Sequence, residues 1–272
     1  MPWTDGHIAG LTKTKDKITT ADGKTVEVWQ FQPPTDPAVI SAWAKHFRNH
    51  YCLDTQLDAL RQGTGLSRAD YLRRIKFPDA TDAPGPSIRS GDFGEILVAD
   101  YVQYVLDYWV PRTRYADKTV RNESTKGCDI LGFKIIKKGK PSPKDELALF
   151  ESKAQLAGKK PESRLQDAVD DSVKDELRKA ESLNAIKQKL LDAGALDDVV
   201  VVERFQNIAD HPYTQKNGAA AIFSTNVYCQ KTIAETSTED HPNADNLALI
   251  VIRGDDMMDL AHQLYQRAAD EA

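Results

Sequence analysis

The sequence has few cysteines and no long apolar run, and each absence excludes a class of protein. Its three cysteines, Cys52, Cys128 and Cys229, have no paired spacing, which excludes a disulfide framework and a cysteine-rich zinc site. No apolar run approaches the length of a membrane span, and the first residues lack the basic and apolar regions of a signal peptide. We therefore expect a protein of a reducing compartment, the cytoplasm.

An overall excess of positive charge is also absent. The formal net charge is -5, which argues against a protein that coats nucleic acid with its whole surface, although a local basic surface remains compatible with it. A length of 272 residues with 40% hydrophobic residues suits one large domain, or a domain with an appended subdomain, built on a sizeable core.

The stretch from Leu147 to Gln155 contains the first candidate functional residues. An apolar run ends at Phe150 and is followed by Glu151 and Lys153, in a pattern typical of a strand. Because alternate side chains of a strand point to opposite faces, Glu151 and Lys153 share one face. Alone this signal is weak, since charged residues alternate on many solvated strands.

An aspartate at the start of the preceding strand strengthens the signal. Asp129 opens an apolar strand that a lysine-rich hairpin connects to Glu151. These two carboxylates, with the Ser152 backbone carbonyl, form a ligand set for Mg²⁺ or Mn²⁺, hard cations that take oxygen ligands. Lys153 would hold or deprotonate the attacking water and stabilise charge on a phosphate. The pattern predicts metal-dependent phosphodiester hydrolysis, with a solvated strand edge carrying structural ion pairs as the alternative.

A third carboxylate lies on the helix that begins near Ser90. Phe93, Leu97 and Tyr101 recur at helical spacing and form an apolar stripe. A step of about 100° per residue places Glu95 just outside the edge of that stripe. Glu95 could complete the metal site as an outer ligand or position water. The alternative is that it caps or solvates the first turn of the helix.

These residues, in this order, resemble the PD-(D/E)XK nuclease superfamily over roughly residues 88 to 260. That resemblance implies an α-β-β-β-α-β core shared with restriction and repair nucleases. The segments Gly94-Glu95, Gly127–Ile130 and Phe150–Ala154 are more particularly similar to the HamA family, the nuclease subunits of Hachiman-type antiphage defence. The narrower resemblance implies a Mg²⁺-dependent deoxyribonuclease with little base preference that acts with a helicase partner, HamB.

The sequence departs from the superfamily pattern at two positions. Cys128 stands where the name of the motif expects proline, which is a common variation. Some members carry a glutamine and a tyrosine on the helix after the Glu-x-Lys strand. Here Gln166 is present and tyrosine is absent at the following turn, so only Gln166 is carried over as a candidate for contact with DNA.

The charge balance changes between Pro111 and Lys144, where cations outnumber acids and flank Asp129 on both sides. Clustered cations beside a carboxylate site suit a polyanion, since neutralising phosphates gives affinity that is independent of sequence. The residues predicted to contact DNA here are Arg112, Arg114, Lys126 and Lys134. The alternative is a solvated hairpin. No helix carries converging arginine and asparagine side chains, so sequence-specific cleavage is not expected.

The remaining patterns predict an α/β fold with a mixed central sheet flanked by helices, and the resemblance implies a restriction-endonuclease-like core. Residues 86–272 are predicted to form the nuclease domain and residues 1–85 an N-terminal α+β subdomain, joined by a linker or exposed loop at residues 79–87. In the N-terminal part, Thr25–Phe31 alternates as a strand, and Asp36 with Pro37 begins a helix.

Downstream of the candidate site, residues 162–193 are predicted to form one long helix. Its apolar spacing, which includes Leu165, Val169, Val173 and Leu177, predicts a face that packs on the sheet. The run Val199–Val202 is compatible with either a strand or a helix. Leu247–Ile252 is continuously apolar, as in a buried central strand.

His46 and His50 stand four residues apart on the first helix and could share a metal ion. With no third ligand of the right type in view, we expect a solvated helix face instead. We assign no chemistry to any histidine.

Two other functional classes remain open. One is a stand-alone restriction or repair nuclease of the same superfamily, which a neighbouring helicase gene would argue against. The other is a catalytically inert scaffold that uses the charged long helix to bind a partner. The scaffold predicts that no metal binds and that substitution of Glu151 or Lys153 leaves function intact.

Overall fold

The computed structural model describes residues 2–116 and 118–272, and it contains the predicted mixed sheet with helices on both faces. Met1 and Asp117 lie outside the described residues. The strands are β1 (Leu11–Lys13), β2 (Ile18–Thr19), β3 (Thr25–Phe31), β4 (Ile130–Lys134), β5 (Glu146–Gln155), β6 (Thr214–Ser224) and β7 (Leu247–Gly254).

The helices fill the intervals between these strands. They are α1 (Pro37–Tyr51), α2 (Asp54–Arg61), α3 (Arg68–Tyr71), α4 (Gly85–Asp100), α5 (Arg164–Ser172), α6 (Asp175–Asp192), α7 (Leu196–Glu203), α8 (Gln230–Ala234) and α9 (Met257–Asp270). Helices α3 and α4 each continue into a π-helical turn, Leu72–Lys76 and Tyr101–Val105 respectively. Along the described stretches, no helix combines the length and apolarity needed to cross a bilayer.

The strands are arranged in the order β1-β3-β7-β6-β5-β4, and β2 also pairs with β3. Strands β3, β7, β6 and β5 are parallel to one another, whereas β4 runs antiparallel to β5, and β1 and β2 run antiparallel to β3. The continuously apolar strand β7 therefore lies inside the sheet, as predicted, because a strand buried on both faces needs apolar side chains on both.

The resemblance implies a helix, three strands, a helix and a strand, but only two strands lie between α4 and α5 in the described residues. At the place of the first strand the structure has an isolated antiparallel bridge between Trp109 and Phe133. Strands β4 and β5 follow, then α5 to α7, then β6.

The two faces of the sheet carry separate cores. Phe150 and Ile222 pack on one face with α1, α4 and α9. Leu149 and Leu131 pack on the other face with α6 and α7. Because side chains alternate along β5, Glu151 points to the same face as Leu149, whereas α4 covers the opposite face.

The N-terminal segment contributes to the same sheet. Strand β3 pairs with β7 from Val26 opposite Leu249 to Phe31 opposite Gly254, and α1 packs against α9. The division at residue 85 stays a prediction, and the sheet continues across it. The predicted start of α1 is confirmed, since the Asp36 side chain accepts a hydrogen bond from the N–H of Ala38. The linker predicted at residues 79–87 is shorter, because α4 already begins at Gly85.

The single long helix predicted over residues 162–193 is wrong. A turn at residues 173 and 174 divides it into α5 and α6, so the apolar spacing no longer follows one helix face. Leu165 and Val169 are buried as predicted, but Leu177 is 84% exposed while Asp175 is only 2% exposed. The ambiguous run Val199–Val202 is helical, within α7.

The junction between β5 and β6 gives a test of the packing. Gly218 lies opposite Phe150, and a Cβ atom at this position would overlap the buried phenyl ring. We expect Gly218→Ala to lower the free energy of unfolding by about 1–3 kcal/mol, the usual cost of overpacking a core. Urea denaturation measures this change.

Gly91→Ala is the matched control, because Gly91 lies inside α4 and a methyl group added there meets open space. It should leave stability unchanged or raise it by up to about 1 kcal/mol, since alanine favours helix more than glycine does. An unfolding midpoint for Gly218→Ala equal to that of the wild type would contradict the packing described above.

Candidate functional site

Strands β4 and β5 bring together Asp129 and Glu151, which we call the acid pair. Ile130 lies opposite Phe150 in the antiparallel ladder, so the next positions outward are Asp129 and Glu151. Asp129 Oδ2 accepts a hydrogen bond of 3.1 Å from the Ser152 N–H. The two side chains therefore project from adjacent strands onto one face of the sheet, and the negative charge of Glu151 raises the pKa of Asp129. Adjacent carboxylates of this kind favour a proton or a cation near them, because their charges repel each other.

Burial makes this preference stronger. The Glu151 side chain is only 4% exposed, and among the described residues its Oε2 atom has no hydrogen-bond partner. Burial also raises the pKa of Asp129 to about 7; the Arg114 guanidinium opposes this rise and Glu151 adds to it. The pKa of Glu151 is raised for the same reason, against the opposing charge of Lys153.

Lys153 lies beside the acid pair, as the strand pattern predicts. Its Nζ atom is 2.6 Å from Glu151 Oε1 and 2.8 Å from Asp171 Oδ2 on α5. Burial disfavours the ammonium form, but these two carboxylates outweigh burial and raise the pKa of Lys153 above its ordinary value. Lys153 is therefore a fixed positive charge in this arrangement. Asp171 was not predicted, because acids are common on exposed helix faces and its spacing carries no signal.

Glu95 approaches the site from α4 but is separated from the acid pair by Arg114. The guanidinium of Arg114 donates to Glu95 Oε2 at 2.7 Å and to Asp129 Oδ1 at 2.5 Å. It also donates to the Cys128 carbonyl at 2.5 Å. The Tyr115 hydroxyl donates a second hydrogen bond to Glu95 at 2.6 Å. One arginine thus connects carboxylates that approach from helix α4 and from strand β4.

The donor set fits a hard divalent cation at the acid pair. Two carboxyl groups on adjacent strands, with an oxygen of Glu151 that has no hydrogen-bond partner among the described residues, offer the oxygen ligands that Mg²⁺ or Mn²⁺ prefers. Glu95, Asp129 and Glu151 do not form a preformed site of three carboxylates. Within the described part of the chain, their carboxyl oxygens do not all lie within 4.8 Å of one another. The Ser152 carbonyl as a further ligand stays a prediction.

Three of the predicted DNA-contacting residues line one cleft at the site. Arg112, Arg114 and Lys126 line it together with Glu95 and Asp129. Arg114 and Lys126 place positive charge at this cleft.

Arg112 lines the same cleft, but its side chain is only 5% exposed and pairs with Asp100. The other two predicted DNA-contacting residues lie elsewhere. Lys134 stands at the end of β4 remote from the acid pair, where it is 3.4 Å from Asp107. Gln166 exchanges two hydrogen bonds with the backbone of Ser237, at 3.2 and 2.8 Å. The structure does not gather Lys134 and Gln166 with the acids, and contact of any of the five predicted residues with DNA stays a prediction.

The solvated face expected for His46 and His50 is wrong. His46 is fully buried and His50 is 3% exposed. The third partner that the spacing did not reveal is Asp100, whose Oδ1 atom is 3.0 Å from His46 Nε2 and whose Oδ2 atom is 2.9 Å from His7 Nε2. We call His7, His46, His50 and Asp100 the histidine cluster. Its ligand-type atoms on His7, His46 and Asp100 lie within 4.8 Å of one another, close enough for a metal ion.

Internal hydrogen bonds explain the histidine cluster without a metal. The N–H of Thr4 donates to His46 Nδ1 at 3.1 Å, so the proton of a neutral His46 is on Nε2 and is donated to Asp100. The Arg112 guanidinium lies 2.7 Å from the same carboxylate. Burial opposes ionisation of Asp100, but the charges of His46, Arg112 and His7 outweigh it and hold its pKa well below the usual range. The cluster ties the N-terminal segment to α4.

The raised pKa of Asp129 makes stability depend on pH. The folded protein keeps this proton up to about pH 7, whereas the ordinary value of an aspartate is 3.8. Between these values the folded state binds more protons than the unfolded state, so stability falls as the pH rises. We expect Asp129→Asn, which cannot titrate, to lose less stability than the wild type over this range.

Urea unfolding midpoints at about pH 4.5 and about pH 8, measured with EDTA present, test this expectation. Asp192→Asn is the control, since Asp192 is exposed at the far end of α6. Identical pH dependence in the wild type and Asp129→Asn would contradict the raised pKa.

We compared the chain with known proteins and with protein-family models. No curated protein and no solved structure matches the chain. The HamA family model matches residues 7–268, a span that includes the acid pair, Lys153, Glu95 and the histidine cluster. The chain therefore belongs to the HamA family, which is associated with Hachiman defence.

Proposed function

We propose that this chain is a metal-dependent deoxyribonuclease of a Hachiman defence system. The observation that carries the proposal is the acid pair, with Asp129 directly before β4 and the buried Glu151 within β5. Among the described residues one Glu151 oxygen has no hydrogen-bond partner, and the Lys153 ammonium lies beside it. A solvated strand edge does not have these properties, because exposed ion pairs keep their carboxylates in water and at ordinary pKa values.

In this proposal Asp129 and Glu151 hold Mg²⁺ or Mn²⁺. When bound, such an ion lowers the pKa of coordinated water and offsets charge that develops on the scissile phosphate. The acid pair favours a positive charge near its members, so binding of the ion relieves the repulsion described above. Glu95 is an outer ligand or positions water once it is free of Arg114.

Lys153 acts as a positive charge at the reacting phosphate. Its ammonium is fixed by Glu151 and Asp171 at 2.6 and 2.8 Å, so it donates hydrogen bonds from a defined position. A preorganised cation in a site of low water content stabilises developing negative charge without reorganisation. This geometry favours the charge-stabilising role over the role of a base.

The substrate in this proposal is DNA that is bound through its backbone. Arg114 and Lys126 line the cleft beside Glu95 and Asp129, and cations at this position suit phosphate groups. No base-reading helix was expected from the sequence, which agrees with cleavage of little sequence preference. The family further supports a helicase subunit, HamB-like, as the partner that restrains or feeds the nuclease.

The catalytic assignment is tested by Lys153→Ala. Plasmid and linear DNA are incubated with the protein, with and without the helicase subunit, in Mg²⁺ or in EDTA. We expect cleavage in Mg²⁺ alone, and a loss of roughly 100-fold in rate for Lys153→Ala, since one preorganised charge is removed. Lys13→Ala on β1, at the opposite edge of the sheet, is the control. Cleavage that persists in EDTA, or that survives Lys153→Ala, would remove the assignment.

The position of Arg114 gives a second prediction. Its guanidinium occupies the gap between Glu95 and Asp129, where it competes with a divalent ion for the same oxygens. We expect Arg114→Gln to bind Mn²⁺ roughly tenfold more tightly, or more, because a competing positive charge is removed. Isothermal titration calorimetry measures the affinity, and Arg74→Gln on an exposed helix is the control. Weaker binding in Arg114→Gln would instead assign Arg114 a supporting role.

A further inference from the structure

Among the described residues, a buried aspartate outside the predicted site has a carboxyl group that makes no hydrogen bond. Asp175 is the first residue of α6 and is 2% exposed. Both oxygens of its carboxyl group lack a hydrogen-bond partner within the described part of the chain. Burying a carboxyl group in this state is costly, because its lost hydration is offset only by the Cys128 thiol and the charges of Arg178 and Arg114, and burial outweighs their effect on its pKa.

The other buried aspartates of the described chain show how unusual this is. Asp92 is 2.6 Å from the Lys118 ammonium, and Asp100 binds Arg112 and two histidines. Asp145 receives the Arg204 guanidinium at 2.6 Å, together with two backbone N–H groups. The fold places a cation in direct contact with each of these, whereas neither carboxyl oxygen of Asp175 has a hydrogen-bond partner among the described residues.

Asp175 lies beside the acid pair. Cys128, the residue before Asp129, donates its thiol to the Asp175 carbonyl at 3.7 Å. The negative charge of Asp129 acts on Asp175, and that of Asp175 acts on Glu151. Burial, with the Asp129 charge in addition, raises the pKa of Asp175 to about 6. The unpartnered oxygen of Glu151 belongs to the same region, so three buried carboxyl oxygens there lack a donor.

We propose that Asp175 is a third carboxylate of the divalent-cation site, a positioning residue that accepts hydrogen bonds from the water molecules of the hydrated ion. This inference rests on the proposed function, because it requires an ion at the acid pair. Within the described residues the three acids do not converge within 4.8 Å, which excludes direct ligation by all three in this arrangement and favours contact through water. Mg²⁺ and Mn²⁺ sites suit such contacts, since Mg²⁺ keeps several waters when it is bound to protein.

The proposal also explains why α5 and α6 are separate helices. In one continuous helix, the apolar face that begins at Leu165 would pack on the sheet as far as Leu177, as the apolar spacing predicted. With the turn at residues 173 and 174, Leu177 is solvent-exposed and Asp175 is placed inside. An exposed leucine beside a buried acid opposes stability, and such conflicts are typical of functional positions.

The test is Asp175→Asn, with Glu181→Gln as the matched control, because Glu181 is an exposed acid on the same helix. Two quantities are measured for the full chain: the melting temperature in EDTA and the Mn²⁺ affinity by isothermal titration calorimetry. We expect Asp175→Asn to raise the melting temperature in EDTA by about 2–4 °C, since an unpaired charge is removed. We expect its Mn²⁺ affinity to fall roughly tenfold. Asp175→Ser, which also suits the first position of a helix, repeats both measurements if the asparagine variant folds poorly.

Failure of this inference differs from failure of the proposed function. If the wild type binds Mn²⁺ and Glu151→Gln loses binding, while Asp175→Asn binds as the wild type does, only the role of Asp175 is overturned. A purely structural Asp175 gives that result, with a changed melting temperature and an unchanged affinity. If the wild type itself binds no Mn²⁺, the metal site and the role of Asp175 are both overturned.

Discussion

The structure of the site depends on the repulsion between two adjacent carboxyl groups that are largely shielded from water, those of the acid pair. Asp129 and Glu151 are neighbours because they are the next positions beyond Ile130 and Phe150, the pair at which the antiparallel ladder ends. Their repulsion is costly in a low-dielectric environment, so nearby groups must supply positive charge or a proton. Lys153 supplies it on one side and Arg114 on the other. Asp171 and Glu95 then orient these two cations from α5 and α4.

This arrangement joins the two faces of the sheet at its end. Glu151, Lys153 and Asp171 belong to the face covered by α5 and α6, whereas Glu95 belongs to α4 on the opposite face. Arg114 lies in the irregular chain between α4 and β4 and bridges the faces. Because that chain has few regular backbone hydrogen bonds, it is the element best able to change position when a phosphate or a divalent cation competes for the same partners.

Local patterns in the sequence predicted the parts of the site that local geometry controls. Strand alternation placed Glu151 and Lys153 on one face, and apolar runs located β5 and β7. Contacts between distant residues were not predictable in this way. His46 lies 54 positions from Asp100 in the sequence, so this contact could not be inferred from local spacing. The spacing of His46 and His50 alone therefore led to the prediction of a solvated helix face. The turn that separates α5 from α6 contains neither proline nor glycine, and apolar periodicity therefore placed Leu177 inside and left Asp175 unnoticed.

The pairing of β3 with β7 has a consequence for shortened forms of the chain. Strand β7 contacts β6 on one side and β3 on the other, and β3 covers it over the six residues Leu249 to Gly254. A polypeptide that starts at residue 86 would expose this edge as a row of free N–H and C=O groups flanked by apolar side chains. Such edges pair with other chains. Strand β3 thus protects β7 from pairing with other chains, and a fragment of residues 86–272 would need either β3 or charged substitutions along β7.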